Sequence, residues 1–94
     1  MAPNDELLYR ELMIVNELGL HARSAAKLVK IAQQADKGVW LQLRDECVDA
    51  KQVIDLLTLA AAQGDRIKVT IEASADMAIL DQIAELIVDG FGEQ

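Results

Sequence analysis

Two short stretches of this 94-residue chain alternate apolar and polar side chains with a period of two. Val39, Leu41 and Leu43 alternate with Trp40, Gln42 and Arg44, and Ile67, Val69 and Ile71 alternate within Arg66–Glu72. Successive side chains of a strand point to opposite faces, so each stretch is a strand with one buried and one wet face. Such strands build a sheet covered on one side only. Elsewhere the period lengthens. Ala25, Leu28, Val29 and Ala32 recur at i, i+3, i+4 and i+7, one face of a helix from Ala22 to about Gln34, with Lys27, Lys30 and Gln34 toward water. Leu80, Ile83, Ala84 and Ile87 form a similar stripe across Asp76–Val88, which Asp76 or Ser74 caps.

The remaining segments complete the pattern. Leu7–Val15 reads as a first strand and Asn16–Gly19 as a turn. Ala35–Gly38 ends the first helix, with Gly38 as its stop. Asp45-Glu46 is a two-residue turn, after which Cys47-Val48 begin a short returning strand. Residues 51–60 read as helical. The order is β-α-β-β-α-β-α: an α+β two-layer open-faced sandwich, three helices on one face of a four-stranded antiparallel sheet. Residues 1–6 read as a frayed tail and 7–94 as a single domain.

Charge and composition exclude several functions. A net charge of −7 offers no basic stripe for nucleic acid, and one Phe, one Tyr and one Trp make no stacking platform. No apolar run approaches the ~20 residues of a membrane span, so no membrane insertion is expected. The N-terminal residues have no positive and apolar leader pattern. Cys47 is alone, which fits a reducing cytoplasm, and reads as a small buried or half-buried hydrophobe. One His and one Cys make no structural zinc set, and no Gly-rich nucleotide loop or cofactor motif is present; no metal and no cofactor are expected.

The chemistry gathers at the single histidine, in Gly19-Leu20-His21-Ala22-Arg23-Ser24-Ala25-Ala26. A glycine turn, an imidazole and an alanine-rich helix start place one titratable nitrogen at a helix N-terminus. Free imidazole has a pKa near ~6.5, so at neutral pH much of it is an uncharged nucleophile. Backbone N–H groups of Ala22, Arg23 and Ser24 are oriented to hold phosphoryl oxygens, helped by the helix dipole, and Arg23 adds a planar cationic donor. A helix-end interaction of roughly 0.3–1 kcal/mol orients such a group without trapping it.

Gly19–Arg23 followed by Ala25–Val29 resembles the active-site signature of the HPr family, the histidine phosphocarriers of the bacterial phosphoenolpyruvate-dependent sugar phosphotransferase system. Val48-Asp49-Ala50-Lys51 through Leu56 and Leu59 resembles that family's second-helix region, and Gln63-Gly64-Asp65 fits the turn before its last strand. The resemblance covers roughly residues 8–90. It implies that His21 accepts a phosphoryl group from enzyme I on its δ nitrogen and passes it to an enzyme IIA protein. Arg23 is then the cationic partner, and the protein turns nothing over alone.

The chain departs from the family pattern in two places. Ser24 stands where proline is usual, restoring an N–H and adding a hydroxyl that strengthens phosphoryl holding, slackens the site, or is a neutral first-turn substitution. Gln52 stands where many members carry a regulatory phosphoserine, so that control is expected to be absent. In the helix that follows, Val53, Leu56 and Ala60 are expected inward. Ile54 and Leu57, with Thr58 beside them, form a partner-docking patch that includes Lys27 and Lys30 of the first helix. Asp55 is unusual within it. Trp40 is expected on the outer sheet face, exposed unless paired, and Phe91 packs the end of the last helix. The resemblance does not separate the sugar system from its nitrogen-related branch. It also leaves an alternative, an HPr-like regulatory module that binds a kinase or transcription factor without phosphoryl transfer. A monomer is expected.

Overall fold

The computed structural model describes residues 8–93; the expected N-terminal tail, residues 1–6, lies outside them. Strand β1 is Tyr9–Met13, helix α1 Ala22–Ala32, β2 Val39–Leu43, β3 Glu46–Asp49, α2 Val53–Thr58, β4 Arg66–Ile71 and α3 Met77–Val88. Single 3₁₀ turns at Ser74–Asp76 and Gly90–Gly92 bracket α3. The four strands pair antiparallel in the order β1-β4-β2-β3. This is the two-layer sandwich that the alternating strands imply.

Register explains which face is buried. Leu41 sits opposite Val69 and Leu12 opposite Ile67, so the apolar members of three strands share one face. Leu28 and Val29 of α1, Leu56 of α2, and Leu80, Ile83 and Ile87 of α3 cover that face. Fully burying each such Leu or Ile contributes about 1.5–3 kcal/mol, which makes this face the main source of stability.

Several local expectations change. The two-residue turn is Arg44-Asp45, because Leu43 pairs with Glu46, and Arg44 takes the positive φ of 52° that the reversal needs. Cys47 is exposed: it pairs with Gln42 on the wet face of an edge strand. Helix α1 stops at Ala32 with Gln33 as its C-cap, before Gly38 is reached. Gly38 faces the side-chain ends of Trp40 and the Glu72 carboxylate. That carboxylate accepts a 2.7 Å hydrogen bond from Trp40 Nε1, which pairs the indole on the outer face. Asp76 makes no cap bond to α3; its carboxylate accepts the Asp36 and Lys37 N–H groups at 2.9 and 3.0 Å, tying the loop after α1 to the start of α3. Ser74 makes no cap bond either. Ala60 is exposed, beyond the C-cap Leu59 and at φ 52°, and Leu59 takes the inward place.

Candidate functional site

Gly19 sets the position of everything in the site. Its φ is +66°, and a Cβ on it would lie 2.5 Å from the Ala61 carbonyl oxygen, so only glycine lets the loop close onto residues 61–62. Leu20 then donates its N–H to the Ala61 carbonyl at 2.9 Å. The loop is pinned one residue before the histidine.

His21 is the N-cap of α1, with extended backbone and a half-buried side chain. Its Nδ1 faces the first turn and accepts the Arg23 N–H at 3.3 Å. Ala25 donates to the His21 carbonyl at 2.8 Å, the first regular bond of the helix. The N–H groups of Ala22, Arg23 and Ser24 precede that bond and belong to the orphan donors of a helix start. Ala22 and Arg23 are exposed and Ser24 is fully buried.

The Ser24 hydroxyl bonds within its own loop. It accepts the His21 N–H at 2.9 Å and donates back to the Gly19 carbonyl at 3.0 Å. It is half of a capping box, spent on the loop's own backbone.

The other ring nitrogen meets a residue from the far end of the chain. His21 Nε2 lies 2.5 Å from Glu93 Oε2. The second carboxylate oxygen of Glu93 accepts the Asn16 amide at 2.9 Å, and the same amide donates to the Gly19 carbonyl at 2.8 Å. Asn16 is buried, so the carboxylate is braced from the turn that carries His21. The Asn16 amide is the main influence holding the Glu93 carboxyl below its ordinary value of 4.5. Partial burial opposes it, while the hydrogen bond and charge of His21 and the charge of Arg23 reinforce it. The tail is anchored twice more: Phe91 is fully buried, and its carbonyl accepts Lys27 Nζ at 2.7 Å.

Sequence reading brought His21, Arg23 and the helix start together. It missed Glu93 and Asn16, which lie in the two turns beside the motif. The available signal was Gly90-Phe91-Gly92: one aromatic between two glycines, both at positive φ in the fold, turns the chain back after α3. Of the docking residues, Ile54 is 70% exposed and Thr58 is exposed, with its hydroxyl bonded to the Asp55 carbonyl. Leu57 is half-buried against the core, so it is only in part a surface residue. Lys30 is exposed, and Lys27, though exposed, is engaged with the tail.

Residues 8–89 match the family described as the PTS HPr component phosphorylation site. Phosphocarrier protein HPr of Xylella fastidiosa strain 9a5c is 34% identical over 87 residues, covering 93% of this chain and 98% of its own. That of Pseudomonas aeruginosa is 37% identical over 84 residues, covering 88% and 93%. A crystal structure of HPr-C-His from Thermoanaerobacter tengcongensis superposes with a TM-score of 0.86 at 29% identity, over 92% of this chain and 97% of that one. These likenesses span nearly the whole of both chains. The chain belongs to the HPr family of the phosphotransferase system. Its members carry phosphoryl groups between the enzymes of that system and are not catalysts by themselves.

Proposed function

We propose that this protein accepts a phosphoryl group on Nδ1 of His21 from phospho-enzyme I and passes it to an enzyme IIA component, in the cytoplasm. The observation that carries the reading is His21 as N-cap of α1, with Nδ1 over the first turn. A nitrogen that accepts a backbone N–H carries a lone pair, and it lies where helix donors converge on an anion. In transfer, that lone pair forms a bond to phosphorus. The bond joining phosphorus to the donor breaks, and its electron pair leaves with the donor. Little covalent work falls to the protein, because phosphoryl transfer depends on positioning and charge stabilisation. The Arg23 N–H moves from Nδ1 to a phosphoryl oxygen, and the Arg23 guanidinium offsets the incoming charge.

The docking side of this reading uses exposed Ile54, with Thr58 of the same helix and Lys30 of α1, as the partner surface. Gln52 at the N-cap of α2 has no hydroxyl to phosphorylate, so the serine-type control of relatives is absent. The test is incubation with enzyme I of the same organism, magnesium and phosphoenolpyruvate, read by intact mass and by phosphoryl stability in acid and base. One acid-labile, base-stable phosphoryl group is expected on the wild type and none on His21→Ala, with the variant's fold retained. Uptake by His21→Ala refutes the assignment. No uptake by folded wild type favours the regulatory module, and adding a nitrogen-branch or a sugar-branch enzyme IIA separates the two pathways.

A further inference from the structure

We infer that Glu93 is a positioning residue for His21: it holds the ring proton on Nε2, keeps Nδ1 free as the nucleophile, and balances the positive charge that the ring gains on phosphorylation. The inference rests on the phosphocarrier reading above. Its basis is the pair of contacts on opposite sides of one imidazole. Nε2 faces a carboxylate oxygen at 2.5 Å, and an ionised carboxylate accepts only, so Nε2 is the protonated nitrogen. Nδ1 faces a backbone N–H at 3.3 Å, so it is the unprotonated one. Without Glu93 the two tautomers compete, and one of them hides the lone pair.

The same contact acts after transfer. Bonding Nδ1 to phosphorus leaves a ring with substituents on both nitrogens and a positive charge. An Nε2–H held by a carboxylate keeps that charge, much as a buried carboxylate supports the imidazolium of a catalytic triad. When the phosphoryl group departs, the P–Nδ1 bond breaks and its electron pair returns to the ring, which leaves as neutral imidazole. A ring that has lost its Nε2 proton would have to leave as an anion, a far poorer leaving group. Glu93 therefore keeps the group transferable. The charged groups around the pair are Arg23 and Lys27 of α1. Arg23 acts on Glu93 through its charge, and Lys27 is held by the Phe91 carbonyl. The carboxylate comes from the side of the ring opposite Nδ1, so it leaves the approach to the nucleophile open.

Two variants separate orientation from charge. Glu93→Gln keeps an acceptor for Nε2–H but removes the charge; Glu93→Ala removes both. Ring ¹⁵N spectra of the unphosphorylated protein above pH 8 are expected to show a protonated Nε2 and an unprotonated Nδ1 in wild type. In Glu93→Ala both signals move toward tautomer averaging. Single-turnover transfer from phosphorylated protein to enzyme IIA at neutral pH is expected to slow roughly tenfold in Glu93→Gln, the effect of losing one charge-assisted hydrogen bond to the ring. Unchanged ring signals in Glu93→Ala overturn the pairing. Transfer as fast as wild type, or faster, in Glu93→Gln overturns the charge role. Failure of wild type itself to take up phosphate defeats the carrier reading and the transfer role with it, while the ring signals still decide the pairing.

Discussion

Ser24 replaces a rigid ring with a hydrogen-bonded one. Where proline fixes φ in the first helical turn, this chain closes a loop between the Ser24 hydroxyl, the His21 N–H and the Gly19 carbonyl. Ser24→Ala leaves that half-buried N–H without a partner and is expected to cost about 1–2 kcal/mol in urea denaturation, with transfer slowed because His21 is less firmly set. Asn16 acts on the other side of the ring. Glu93 titrates below 4.5, and the Asn16 amide is the main reason. Asn16→Ala is therefore expected to raise the Glu93 midpoint toward 4.5 in a ¹³C-detected carboxyl titration. His21 and Arg23 were legible in the sequence because a local motif carries them. Glu93 was not, since 72 residues separate it from the histidine and no spacing rule spans that distance.

Element types were legible because both periods are clean, whereas element ends are set by contacts the periods do not contain. The hairpin turn moved one residue because pairing Leu43 with Glu46 fixes it. Helix α2 is six residues long, and its short length decides which apolar residues are free. Ile54 points to solvent, and Leu57 leans on the core. Ile54→Glu is expected to leave thermal stability unchanged while weakening enzyme I binding roughly tenfold, the effect of losing one interface anchor. Leu57→Glu is expected to lower stability by about 1–3 kcal/mol by forcing a charge against apolar neighbours, as read by urea denaturation. Equal stability losses in the two variants would remove Ile54 from the docking surface. Asp76 shows the same lesson at a helix start. It looks like a cap, yet it serves the loop after α1, so Asp76→Asn, which swaps one acceptor oxygen for a donor, is expected to lower the melting temperature.

For the molecule as a whole, two carboxylates make the fold sensitive to acid. The backbone N–H groups of Asp36 and then Lys37 hold Asp76 below its ordinary 3.8, as Asn16 holds Glu93 below 4.5. Because folding lowers both values, the unfolded chain takes up these protons first as pH falls. The stability they contribute is complete above about 4.5 and is lost as pH falls through the two lowered values. Melting temperature is thus expected to fall as pH drops below about 4.5, and to fall less in Asp76→Asn. The one tryptophan of the chain stands apart from this chemistry, on the outer sheet face with its indole bonded to Glu72, while His21 caps a helix of the other layer. The sheet thereby carries a fluorophore whose emission is expected to follow the sheet coming apart, in the layer away from the helix that His21 caps. Emission and mass spectra from one sample then report folding and cargo as separate channels, with no label attached to either face.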